Sequence, residues 1–321
     1  SAASDVYKRQ LDFQIKQKTL AGANYFHNLV INGTSAASGT GYIPNTFDGL
    51  KKILAGKSTE ASTDVDISTT QSGNLLRDKC VVITGGSEGI GAAIARKCIS
   101  QGARVLITGR DEVKLHNFAD TVDRDKVSVL NWDISDCTVI EEKFKQVLNE
   151  LGQVDIWINN AGIYRDVNYS SCRLRDWDEI MSTNIRGPYF ATNRVANYFI
   201  EEKIKGVILN ISSETGKVAG TNPYGFSKNI IMQYTEGLAV ELGKYGIRSN
   251  AIAPGGVATK IAGRTTGDEL SFPALGGRLI TCEEIAELAL FLVAPLSSCI
   301  NGQVIYANEG NTIVIPSGNI Y

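Results

Sequence analysis

The chain has 321 residues, 43% hydrophobic and 21% charged, an ordinary globular composition with material for one large core or two smaller ones. Its formal net charge of −2 gives no basic field with which to hold nucleic acid or an anionic membrane. Only His27 and His116 could add imidazole, and neither stands in metal-ligand spacing to a cysteine, so no metal chemistry is expected.

The opening SAASDVYKRQLDFQIKQK lacks an apolar signal region, and no apolar run approaches the ~20 residues of a spanning helix. The expectation is a soluble, cytoplasmic protein. Six cysteines stand at 80, 98, 137, 172, 282 and 299 without a CxxC pair, which reads as reduced thiols, mostly core fillers.

Residues 1–77 read as an N-terminal extension. Tyr25–Ile31 suits a strand or helical turn and Phe47–Leu54 a short helix, while Lys57–Asn74, rich in Ser, Thr, Asp and Gly, reads as a linker. Residues 78–321 form the main domain. Seven short apolar runs follow at Lys79–Thr84, Arg104–Thr108, Val127–Leu130, Val154–Ile158, Gly206–Ile211, Arg248–Ala253 and Gln303–Ala307. Most are apolar throughout, as in strands covered on both faces. Amphipathic stretches lie between them. In Val139–Leu151, for example, Val139, Ile140, Phe144, Val147, Leu148 and Leu151 share one helical face. Strand–helix alternation predicts an α/β fold, a Rossmann-type doubly wound parallel sheet of seven strands.

Directly after the first strand, TGGSEGIG (84–91) opens a helical stretch. Gly85, Gly89 and Gly91 permit a tight turn and close backbone approach to a pyrophosphate, and the helix N-terminus offers free N–H groups to it. Such a turn alone is a weak signal; a strand before it and a helix and second strand after it raise its value. After the second strand comes Thr108-Gly109-Arg110. Arg110 suits a ribose 2′-phosphate and no carboxylate stands at Gly109, which favours NADP(H) over NAD(H). Against this, Asp111 and Glu88 are nearby, and the alternative is that Arg110 is a solvated turn residue.

Tyr224 and Lys228 are four apart in a helical stretch and project from one face. A tyrosine pKa near 10 is too high for ready proton transfer at neutral pH. A neighbouring ammonium favours the phenolate; lowering the pKa by ~3 units corresponds to about 4 kcal/mol. A lone YxxxK is more often a surface pair, Ser212 and Ser213 alone would be strand-end caps, and Asn184 alone a polar helix residue. Their joint occurrence behind a dinucleotide turn outweighs these readings.

Together TGGSEGIG, NNAG (159–162), Asn184 in STNIRG, ISS (211–213), YGFSK (224–228) and PGGVAT (254–259) resemble the short-chain dehydrogenase/reductase family in order and spacing, over about residues 76–310. The glycine spacing is that of its short, single-domain branch, and NGQVIYANEG resembles a variant of the family's closing TGQ…DGG. The resemblance implies ketone–alcohol interconversion by hydride transfer. Tyr224 would be the acid/base, Lys228 its pKa-lowering partner and ribose ligand, and Ser213 the group that binds the substrate oxygen. The SxxG pattern selects Ser213, with Ser212 a second candidate because the serine–tyrosine gap is short. Asn184 would hold a water leading from Lys228 to solvent.

The cofactor residues it implies are Gly85, Ser87, Glu88, Gly89, Ile90 and Gly91 in the turn, then Arg110. Asp133 and Asn160 would sit around the adenine, and Ile134, Ala161 and Gly162 are further cofactor residues. Pro254, Gly255, Val257 and Thr259 cover the carboxamide, and Tyr224 and Lys228 serve both roles. No metal residue is implied. The family's substrate lid falls on Lys260–Phe272, short and polar here, which favours a small polar carbonyl or alcohol over a steroid-like one. Tyr164, Arg165, Tyr189, Glu214 and Val218 are further lining candidates. Assembly as a homotetramer or homodimer would use the helices around 174–200 and 222–243, where Phe199, Ile200, Ile230 and Ile231 exceed what one core needs. Two other functions stay open: a dinucleotide-binding redox sensor without turnover, and a lyase or epimerase using a transient hydride.

Overall fold

The computed structural model describes residues 74–259 and 276–313. The expected elements at Tyr25–Ile31 and Phe47–Leu54, the linker and the lid at Lys260–Phe272 lie outside these residues. All seven expected strands are present: β1 (Cys80–Thr84), β2 (Arg104–Gly109), β3 (Val127–Asn131), β4 (Ile156–Asn159), β5 (Val207–Ile211), β6 (Arg248–Pro254) and β7 (Val304–Ala307). They form one parallel sheet in the order β3-β2-β1-β4-β5-β6-β7. The order reverses between β1 and β4, and a crevice forms at such a switch point beyond the strands' carboxyl ends.

Helices cover both faces. α1 (Gly89–Ser100), α2 (Glu112–Ala119) and α7 (Cys282–Val293) pack on one side, around Ile83, Ile94, Cys98, Ile107 and Leu290. α3 (Ile140–Leu151), α5 (Gly187–Glu201) and α6 (Pro223–Leu242) pack on the other, around Phe144, Trp157, Val195, Phe199 and Leu238. The expected face of α3 is the buried one: Ile140, Phe144, Val147 and Leu151. Leu76, which precedes β1, is also buried in the first of these cores.

Two sequence expectations need correction. Of the cysteines, only Cys80 and Cys98 are buried; Cys137, Cys172 and Cys282 are half-buried and Cys299 is exposed, all without a bridge. Phe199 and Ile231 belong to the interior, so they are not spare interface residues. Ile230 is exposed as expected, and the other exposed large apolar side chains on those helices are Leu174, Trp177, Tyr189, Phe190, Phe226 and Val240. Ile230 and Ile231 point about 100° apart on their helix, which leaves the first exposed and the second buried.

A buried polar chain fixes the helices that carry the site. Trp157 Nε1 donates to Asn159 Oδ1 (2.8 Å). Asn159 Nδ2 donates to Thr192 Oγ1 (2.7 Å) and Asn210 Oδ1 (2.8 Å). Asn210 Nδ2 donates to Thr235 Oγ1 (2.9 Å), which donates to the carbonyl of Ile231 (2.7 Å). The chain joins β4, β5, α5 and α6, setting the register of α6 against the sheet. Buried polar groups are costly when half their partners are lost. Asn210→Leu, close in size, strands the Asn159 amide and the Thr235 hydroxyl; urea denaturation is expected to show a loss of about 2–4 kcal/mol.

Candidate active site

The turn after β1 is closely built. Gly85 and Gly89 have φ of +65° and +55°, a region that favours glycine. A Cβ at Gly91 would lie 2.3 Å from the Gly85 carbonyl oxygen and 2.4 Å from Asn160 Nδ2. The glycines therefore permit both the backbone shape and the contact with the loop after β4. Asn160 Nδ2 donates to the carbonyls of Thr84 (3.0 Å) and Gly85 (2.8 Å). That amide is spent on shaping the turn, where the resemblance implied an adenine contact. Ile90 packs half-buried on the core, and the turn leads into the first N–H groups of α1. This cradle fits a pyrophosphate.

Around the turn, Ser87 Oγ lies 3.7 Å from where a Cβ on Gly109 would stand. Arg110 is exposed, and its carbonyl accepts from Asn131 Nδ2 (3.4 Å). Glu88 pairs with Lys114 (2.8 Å), which also faces Asp111 (3.9 Å). Lys114 thus moderates the acidic residues that weigh against a 2′-phosphate, a contribution the sequence reading missed. Asp133 Oδ1 accepts from the N–H (3.0 Å) and hydroxyl (2.7 Å) of Ser135, and Ile134 is buried beside it. Ala161 N donates to Thr84 Oγ1 (3.1 Å). Pro254 ends β6, and Gly255 N donates to the Ala307 carbonyl (2.9 Å). The side chain of Val257 lies in the core, and Thr259 Cγ2 stands 3.5 Å from a Cβ position on Gly89.

Beyond the ends of β4 and β5 the proton-handling residues meet. α6 begins at Pro223, and the Asn222 side chain caps it by accepting from Tyr224 N (2.8 Å). One turn on, Lys228 is buried at 5% exposure, with Nζ donating to the Ile211 carbonyl (2.9 Å). The same Nζ lies 5.4 Å from the centre of the Tyr224 ring. Burial drops the Lys228 ammonium to a pKa of about 8. An ammonium has three donors, and one bond to a carbonyl leaves capacity for the vicinal hydroxyls of a ribose.

The two serines separate cleanly. Ser212 Oγ donates to the Lys228 carbonyl (2.7 Å) and so fastens α6 to β5. Ser213 Oγ accepts from Thr215 N (3.3 Å) and Thr215 Oγ1 (3.0 Å) and is hydrogen-bonded with Tyr224. With both acceptor positions filled, the Ser213 proton is available for donation. Geometry therefore favours Ser213, an outcome the motif spacing left open.

Burial holds the Tyr224 phenol above its ordinary pKa; the Ser213 bond opposes this and neighbouring Tyr164 adds to it. The expected lowering by Lys228 is not seen, because its Nζ is turned to the Ile211 carbonyl and has itself lost its water. Asn184 sits in a π-helical turn, Ser182–Arg186, between α4 (Leu174–Met181) and α5. Such turns are rare and cluster at functional sites. Asn184 Oδ1 accepts from Ile163 N (2.8 Å), and its Nδ2 donates to the Ile163 carbonyl (3.0 Å) and Ser227 Oγ (3.1 Å). A Cβ on Gly162 would lie 3.4 Å from Asn184 Oδ1 and 3.5 Å from Lys228 Nζ, so glycine keeps the space between them open.

A cavity of about 460 Å³ borders Tyr224, with Tyr164, Thr215, Val218, Thr221 and Phe226 among its lining. Glu214 is drawn to the segment after β7, accepting from Asn308 (3.0 Å) and Asn311 (3.0 Å). Arg165 is paired with Glu179 (3.1 Å), and the carbonyl of Tyr189 accepts from Tyr234 (3.2 Å). Neither Glu214, Arg165 nor Tyr189 lines this cavity.

The depressed Lys228 pKa has a consequence for stability. Its folded value, about 8, lies below the ordinary 10.5, so the folded state is penalised below pH 8 and the penalty fades as pH rises towards 10.5. The difference corresponds to a penalty on the order of 3 kcal/mol. Lys228→Met is accordingly expected to be more stable than the parent at neutral pH, by about 1–3 kcal/mol in urea denaturation. The advantage should shrink at alkaline pH.

Comparison with known proteins identifies the family. A family model described as short chain dehydrogenase matches residues 79–270. Gluconate 5-dehydrogenase of Gluconobacter oxydans is 32% identical over 241 residues, covering 72% of this chain and 94% of the relative. The 3-oxoacyl-[acyl-carrier-protein] reductase of Aquifex aeolicus is 32% identical over 247 residues, covering 73% and 98%. Among solved structures, the 3-ketoacyl-(acyl-carrier-protein) reductase of Brucella melitensis complexed with NADH superposes with a TM-score of 0.68. It is 30% identical, and the match covers 74% of this chain and all of that one (100%). The chain belongs to the short-chain dehydrogenase/reductase family of NAD(P)-dependent oxidoreductases.

Proposed function

We propose that the protein interconverts a ketone and a secondary alcohol, with Tyr224 as acid/base, Lys228 and Ser213 assisting it, and NADP(H) preferred over NAD(H). The observation that carries the reading is the meeting of Ser213, half-buried Tyr224 and buried Lys228 where α6 packs on the end of β5. Two relatives support it by name, one as a gluconate dehydrogenase and the other as a 3-oxoacyl reductase. When bound, the nicotinamide supplies or takes up the hydride and, oxidised, adds a positive charge beside the site.

In reduction, the Ser213 hydroxyl donates to the carbonyl oxygen and the Tyr224 phenol gives it a proton as negative charge develops there. Lys228 is assigned to the phenolate left behind, which its Nζ, 5.4 Å from the ring centre, supports, and to the ribose hydroxyls. Asn184, whose side chain is bonded to Ile163 and Ser227, is assigned the water relay that leads from Lys228 to solvent. In oxidation the proton moves the other way, so alcohol oxidation gains with rising pH and ketone reduction loses. Arg110, with Lys114 offsetting Glu88, supports the preference for a 2′-phosphate. The exposed Tyr189, Phe190, Phe226 and Ile230 on α5 and α6 support assembly as a homodimer or homotetramer through those helices.

The test is turnover of a ketone panel with NADPH and NADH. Tyr224→Phe should bind NADPH within about threefold of the parent yet lose at least ~10³-fold in kcat. Ser213→Ala should lose about 10²-fold or more and Ser212→Ala far less. Arg110→Ala should weaken NADPH binding about tenfold or more and leave NADH binding unchanged. Cofactor binding with no turnover of any carbonyl compound would return the redox-sensor reading.

A further inference from the structure

The loop after β4 is anchored on both sides of a single side chain. At Ile163, Asn184 holds both the N–H and the carbonyl. At Arg165, the carbonyl accepts from Asn222 Nδ2 (2.9 Å). Tyr164 lies between the two anchors. Its carbonyl accepts from the Arg165 guanidinium (3.1 Å), which is itself paired with Glu179 on α4. Its hydroxyl donates to Asp166 Oδ1 (3.3 Å). The Tyr164 ring meets the Tyr224 ring edge-on, with centroids 5.3 Å apart and planes at 89°. Both rings border the cavity.

The Asn222 amide performs two tasks at once. Its oxygen caps α6 at Tyr224 N (2.8 Å) while its nitrogen holds the Arg165 carbonyl (2.9 Å). Asp, Ser or Thr would cap a helix as well, but none of them offers an amide N–H for the second bond. One side chain therefore sets the position of the helix carrying Tyr224 and of the loop carrying Tyr164, and so the spacing of the two rings.

Resting on the oxidoreductase reading above, we propose that Asn222 is a positioning residue that holds Tyr164 across from Tyr224, and that Tyr164 thereby determines specificity. An aromatic wall fixed beside the proton donor favours carbonyl compounds with a flat apolar substituent, such as an aryl methyl ketone, over flexible alkyl ketones of the same size.

Asn222→Asp separates the two tasks, because the carboxylate keeps the cap and loses the donor to Arg165. Hydrogen exchange should show residues 161–167 opening about tenfold more readily in this variant, with the amides of α6 unchanged. For an aryl methyl ketone, KM should rise about tenfold with kcat kept within about threefold, and an alkyl methyl ketone of equal carbon number should be unaffected. Tyr164→Leu should lose the same discrimination, and the double variant should lose no more than either single one. Three results would each overturn the proposal: unchanged exchange in the loop, equal loosening of α6, or additive losses in the double variant. If the parent turns over neither ketone, the specificity claim falls with the functional reading, while the exchange measurement still decides whether Asn222 holds the loop.

Discussion

Lys228 carries its ammonium into a place that water barely reaches, and among the described residues the Ile211 carbonyl is the group bonded to it there. An interior cation without a carboxylate partner is unfavourable, and its depressed pKa expresses that cost. The surrounding structure is arranged to tolerate it. α6 is fixed by the asparagine chain beneath it and by Ser212 bonded to the Lys228 carbonyl, so the side chain cannot swing out without disturbing the sheet contact. Its Nζ is thereby kept 5.4 Å from the centre of one phenol ring, that of Tyr224.

The sheet makes the convergence possible. Because the strand order reverses at β1 and β4, the loops after those strands diverge and leave a crevice. The glycine turn lies on one wall, with Ser213 and α6 on the other. Asn160 links the halves by holding the turn's carbonyls from the loop after β4. The same loop continues to Gly162, which leaves room between Asn184 and Lys228, and to Tyr164. A shift of that loop would thus disturb the cofactor cradle and the proton donor together.

Much of this was legible in the sequence because it rests on local pattern. Uninterrupted apolar runs identified all seven strands, to within a residue or two at their ends, since strands covered on both faces need no alternation. The four-residue spacing of Tyr224 and Lys228 sufficed to place both on one face of a helix. What escaped was the direction of individual polar groups. Ser212 and Ser213 are chemically identical, and the pleat of β5 with the packing of α6 decides which one meets the phenol. The Asn160 amide turned to the backbone, and no pattern announces a π-helical turn at Asn184. Asn222-Pro223 carries a helix-start signal, but its second bond, to Arg165, joins residues 57 apart. The pKa of Tyr224 followed burial, which composition cannot report.

The central claim is that Tyr224 is a desolvated phenol held above its ordinary pKa until the positive charge of an oxidised cofactor is placed beside it. Tyrosinate difference absorption, taken as parent minus Tyr224→Phe across alkaline pH with and without NADP+, measures this directly. The account predicts that the Tyr224 midpoint lies above the ordinary 10.0 in the free protein. It should fall by about two units or more once the oxidised cofactor is bound. A midpoint that stays in place or rises on binding would contradict it.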